Sequence, residues 1–134
     1  MDITSFDDLL QAARYQPAPQ RLLLVFVAVE LPEDSTAAQR AAFEAGEGGA
    51  LVPAMCVDKS PQELDSFQAL AQEAAQFGAP WTLLVAAAMS GADMQPPTSE
   101  QAGQALQGMV EAVKRGQLDN FIVFDAQGLP LQLQ

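Results

Sequence analysis

The sequence predicts a single α/β domain: a mainly parallel sheet of four to five strands, flanked by helices and finished by a C-terminal antiparallel hairpin. Three observations carry that expectation. Residues 21–31, RLLLVFVAVEL, form the longest unbroken apolar run, bounded by Pro19 and Pro32, and read as a central strand buried on both faces. Helical and strand patterns alternate along the rest of the chain, which implies crossover connections and parallel neighbours. At 134 residues the chain is long enough to bury about two thirds of the surface it exposes when unfolded, and neither a repeat nor an interdomain linker interrupts it.

Each element follows from local chemistry. Ser5 caps a first helix with Asp7 and Asp8 in its first turn, and Phe6, Leu9, Leu10 and Ala13 on one face; it ends before Pro17. Two prolines in QPAPQ (16–20) forbid helix continuation and lead into the first strand. After an acidic turn at Glu33, Asp34 and Ser35, Thr36 and Gln39 are spaced as a capping box for a short alanine-rich helix over 37–45, which holds little core. The glycines at 46, 48 and 49 make a turn into the second strand, ALVPAMCV (50–57). Pro53 cannot donate a ladder hydrogen bond, so this strand is either at the sheet edge or bulged at Pro53.

Ser60-Pro61-Gln62-Glu63 has the form of a capping box with proline at the first helical position, and a second start is spaced from Asp65 to Gln68. The helix that follows carries Leu64, Phe67, Leu70, Ala71, Ala74 and Ala75 on one face and stops at Gly78 and Pro80. WTLLVAAAM (81–89) is the third strand, whose alanines leave room for a packed helix or a ligand. An irregular stretch, SGADMQPP (90–97), ends at the capping box of Thr98 and Gln101. The fourth helix keeps Ala102, Ala105, Leu106, Met109, Val110 and Val113 in period, although Gly103 and Gly108 each cost about 1 kcal/mol relative to alanine. Gly116 ends it, 121–124 is a fourth strand, 125–128 a turn, and 129–133 alternates as an edge strand containing Pro130.

Charge and composition exclude more than they assign. Seventeen Asp and Glu against six Lys and Arg give a net charge of −11, spread along the whole chain. Nucleic acid and anionic membranes are therefore not expected partners, since both are bound by clustered cations. Lys114-Arg115, at the end of a helix, complements its dipole. No apolar run approaches the roughly 18 to 20 residues of a membrane helix, and the N-terminus MDITSFDDLL lacks the basic region of a secretory leader. With the single cysteine, this predicts a cytoplasmic protein.

There is no histidine, which removes the Ser-His-Asp and Cys-His nucleophile systems and the imidazole metal ligand; with one cysteine, no Cys/His zinc site can form within one chain. EAGEGGA (44–50) follows a helix and enters a strand, so its glycines make a turn and not a phosphate cradle. No cofactor is implied.

In a parallel sheet, ligands bind beyond the carboxyl ends of the strands. That rule gathers Glu30, then Asp58, Lys59 and Ser60, then Ser90 with Gly91, then Asp125 into one candidate ligand site, where carboxylates can hold a hard cation such as Mg²⁺ and Lys59 an anion. Each also has an ordinary structural use: Ser60 as a cap, Asp125 as the start of a turn, Glu30 as a solvated strand end. Cys56, at the end of a buried strand beside Asp58 and Lys59, is either a reactive thiol or a small core residue.

The stretches FEAGEGGALVPAMCVDKSPQEL (43–64) and SFDDLLQAARYQPAPQRLLLVF (5–26), with the rest of the chain, resemble a group of short proteobacterial proteins labelled "ribonucleotide reductase subunit alpha". The resemblance is one of overall likeness. Reductase large subunits use several cysteines including a redox pair, and this chain has one, so no reductase residue is carried to a position here.

The function these readings favour is a non-catalytic binding or regulatory module for a protein partner or small ligand. The alternative is a small enzyme built on carboxylates and Lys59, Mg²⁺-dependent, at the strand ends. A homodimer formed through the edge strand at 129–133 is a third expectation.

Overall fold

Alternation of side chains along the first apolar run sets the layers of the molecule. The structure, a computed structural model, describes residues 3–31, 34–45 and 49–131. In chain order it contains α1 (Phe6–Arg14), β1 (Gln20–Glu30), α2 (Ala37–Glu44), β2 (Ala50–Lys59), α3 (Phe67–Ala75), β3 (Leu83–Ser90), α4 (Ser99–Lys114) and β4 (Ile122–Phe124). On β1, Leu22, Leu24 and Phe26 face one way, and Leu23, Val25 and Val27 the other. The first set packs with Phe6, Leu9 and Leu10 of α1 and Leu70 and Ala74 of α3; the second packs with Ala102, Leu106, Met109 and Val113 of α4. The sheet is thus sandwiched between α1 with α3 on one face and α4 on the other. Phe6, Phe26 and Phe124 are among the largest fully buried side chains, each worth roughly 1.5–3 kcal/mol of burial. Phe6 meets Phe124 edge-on at 5.4 Å, and Phe26 meets Trp81 at 4.9 Å.

The sheet has the order β2-β1-β3-β4 and every neighbouring pair is antiparallel. This corrects the mainly parallel sheet that the alternating pattern predicts. The parallel expectation requires each intervening helix to pack on the sheet as a crossover. Helix α2 buries no residue. It sits inside what is otherwise a hairpin, and β2 returns directly beside β1. Strands β2 and β3 do run in the same direction, but β1 lies between them. After β3, α4 packs across β1 and β2, and the segment 115–121, with Leu118 buried, brings the chain back to β4.

The helix caps match the sequence closely. Ser5 accepts from the Asp8 N–H, while Thr36 with Gln39 and Thr98 with Gln101 form complete capping boxes. The box expected at Ser60 and Glu63 is only half made: the Glu63 carboxylate accepts from the Ser60 N–H and hydroxyl, but the Glu63 N–H donates to the Ser60 carbonyl, closing an isolated turn that does not start α3; that helix begins at Phe67 with Ser66 as its cap. Both options for Pro53 are realised. Strand β2 is at the sheet edge, and its register slips between Phe26 paired with Met55 and Val27 paired with Pro53, leaving Ala54 as the extra residue.

After β4 the chain turns at Asp125, whose N–H donates to the Leu129 carbonyl, and the Phe6 N–H donates to the Gly128 carbonyl. Gly128 has φ +81°, and a Cβ there would lie 2.9 Å from the Phe67 ring. Pro130 makes a single bridge to Phe124, in place of the strand expected over 129–133, whose residues 132 and 133 lie outside the described set. The turn expected through Glu33 and the glycines at 46 and 48 also fall outside it. Among the described residues no helix is long and apolar enough to cross a membrane.

Candidate functional site

Antiparallel pairing divides the residues that a parallel sheet would have gathered. Gln20 pairs with Ser90 and Leu22 with Lys59, so Asp58, Lys59, Ser60 and Ser90 share the end of the sheet at which β1 begins. Glu30 pairs with Ala50 at the opposite end, and Asp125 follows Phe124 toward that same opposite end. Glu30 is therefore separated from the other four by the length of β1, and Asp125, which follows Phe124 at the level of Phe26, lies on the opposite side of the sheet from β2.

Within the near group, the strand alternation separates Asp58 from Lys59. Asp58 lies on the α4 side, where it accepts a short charge-assisted hydrogen bond from Arg21 Nε; Lys59 lies on the α3 side, where its Nζ is 2.8 Å from Glu73 Oε1. Ser60 donates its hydroxyl to Glu63 Oε1 at 3.0 Å, and Ser90 Oγ accepts from Gln20 Nε2 at 2.8 Å. At the other end, Asp125 Oδ1 accepts from the Gln127 and Leu129 N–H groups at 2.8 and 3.0 Å, an Asx turn. Glu30 is exposed. Among the described residues no three or more of His, Cys, Asp or Glu are grouped so as to hold a metal ion.

Cys56 is exposed on the edge strand, which corrects its expected place at the end of a buried one. The difference arises because, among the described residues, β2 has a neighbouring strand on one side only. Between this free edge and α3 is an open groove of about 300 Å³. Phe26, Met55, Val57, Leu70 and Ala74 make its apolar lining, with Glu73, Cys56 and Phe77 completing the walls. Phe77 stands at its margin and is 72% exposed. The register explains the lining: Met55 and Val57 are cross-strand partners of Phe26 and Leu24 and share their face with α3.

The sequence places Leu70 and Ala74 on an apolar helix face over 64–75 but does not extend that face to Phe77. The missed signal is Phe77, which falls seven residues after Leu70 on the same stripe, beyond the helix end where the sheet no longer covers it.

One carboxylate elsewhere is held in its charged form by hydrogen bonds. The Thr4 hydroxyl and N–H both donate to Asp8 Oδ2, at 2.5 and 2.9 Å, and hold its pKa below the ordinary 3.8. It belongs to the start of α1, remote from the groove in its role. No protein-family model, curated protein or solved structure matches this chain.

Proposed function

We propose that the chain is a non-catalytic binding or regulatory module, and that its binding site is the groove between β2 and α3. The observation that carries this reading is an apolar hollow of about 300 Å³, left open beside a strand whose outer edge pairs with nothing among the described residues. Its volume is at the lower end of ligand pockets, which run from roughly 300 to 1,000 Å³. The polar groups at the strand ends favour the same reading from the other side. Asp58, Lys59, Ser60, Ser90 and Asp125 are each held by a hydrogen bond or ion pair within the chain.

A neutral apolar dye tests it, since an anionic one is repelled by a protein of net charge −11. Nile red is expected to brighten on binding the wild-type chain, and to lose most of that signal with Phe77→Ser or Met55→Glu. Equal brightening with all three proteins, or none with the wild type, would sink the reading.

A further inference from the structure

The free edge of β2 and the groove beside it have a common geometry that selects one kind of occupant. This step rests on the groove being the binding site. Pro53 has no N–H and Ala54 is bulged, so the first half of β2 is a poor template for another strand. Residues 55–59 are regular, and their outer side pairs with nothing among the described residues. Met55 and Val57 on this stretch line the groove, while Asp58 lies toward the opposite face. A strand added alongside would thus place every second side chain over the groove and the alternate ones on the other face.

Charge decides between a second copy and a different partner. Arg21, Lys59 and Lys114 are already paired with Asp58, Glu73 and Glu111, and Arg14 is held by the carbonyls of Pro61 and Leu64. The net −11 remains as a field around the whole molecule. Two copies meeting at this edge would repel one another, whereas a cationic segment is drawn to it. The geometry points to an extended segment of a basic protein that adds to residues 55–59 as a fifth strand. Its large apolar side chains occupy the groove, and lysines or arginines alternate with them.

The test is selection of a random 12-residue peptide library displayed on phage against the full chain at low salt. Enriched peptides are expected to alternate Lys or Arg with Leu, Ile, Phe or Trp. Binding of a synthetic copy should weaken at least tenfold with Met55→Glu, even though that variant is more acidic, and should weaken also with Phe77→Ser. Phe77 is exposed, so its variant keeps the test valid should Met55→Glu fail to fold. Bound peptide should slow amide exchange at 55–59 and leave 122–124 unchanged. No enrichment, or protection at another edge, overturns the inference. Peptides without Lys or Arg that are still lost with Met55→Glu overturn the cationic strand but keep the groove; peptides indifferent to both substitutions overturn both. A dimer in sedimentation velocity that Met55→Glu dissociates assigns the edge to a second copy and also overturns it.

Discussion

Breaking the Arg21–Asp58 pair asks whether Asp58 holds the sheet together or is kept for a ligand. Its side chains are 21% and 26% exposed, which places the pair between a surface ion pair and a buried one. At contact, with an effective dielectric of about 20, the gross attraction is roughly 4 kcal/mol, and desolvation of both groups offsets much of it. A coupling of about 1–2 kcal/mol between the two side chains is the expected remainder, above the ~0.2–1 kcal/mol of exposed pairs. Asp58→Ala and Arg21→Met should each destabilise by about that amount, and the double variant by little more than either alone. For a chain of this size each kcal/mol corresponds to roughly 3–5 °C in Tm. Urea unfolding followed by the fluorescence of Trp81, which packs against Phe26, supplies the four free energies. Additive single effects, with a coupling under about 0.3 kcal/mol, would refute the structural role. So would a gain in stability with Asp58→Ala, because residues kept for binding are commonly held at the expense of stability.

Three further outcomes are expected. The Cys56 thiol should react with a chromogenic disulfide reagent in the native protein, at a stoichiometry of one; a thiol that reacts only after unfolding contradicts its exposed place on β2. Gly128→Ala should destabilise by about 1–3 kcal/mol, because a Cβ meets the Phe67 ring at 2.9 Å on a backbone of φ +81°, and thermal unfolding at the wild-type Tm would show the turn to be looser than this. For Asp8, the lowered folded pKa means that its stabilising contribution is present above the ordinary 3.8 and disappears as the pH falls through the folded value. NMR titration should place the Asp8 midpoint below that of the unfolded chain, and Thr4→Val should move it upward; an unchanged midpoint would mean that the Thr4 contacts do not form.

The local features were legible because they depend on neighbours in sequence. Ser5, Thr36 with Gln39 and Thr98 with Gln101 cap the helices they precede, since a cap needs only a side-chain oxygen within three residues of an orphan N–H. The apolar run beginning at Arg21 is the central strand, flanked by β2 and β3, because so long a stretch of Leu, Val and Phe must be covered on both sides. At Ser60 the same local logic failed. The Glu63 carboxylate accepts from Ser60, but the Glu63 N–H goes to the Ser60 carbonyl and not to its hydroxyl, and Arg14 reaches across from α1 to the carbonyls of Pro61 and Leu64 in the same turn. A contact between residues about 50 apart leaves no trace in a window of four.

Strand direction was illegible for a related reason, and the site moved with it. A helix between two strands signals a parallel pair only if its apolar face is broad enough to dock on the sheet. Helix α2 offers alanines with one phenylalanine and buries none of them, so β1 and β2 pair as neighbours with the helix left outside. Once those two strands are antiparallel, their carboxyl ends lie at opposite ends of the sheet, and a shared rim for Glu30 and Asp58 cannot form. Among the described residues the same pairing leaves β2 with one unpaired side, and α3, lying along the face of Phe26, Met55 and Val57, leaves the groove open next to that side. The pairing that removes the strand-end site is thus also what places an apolar groove beside a free strand edge.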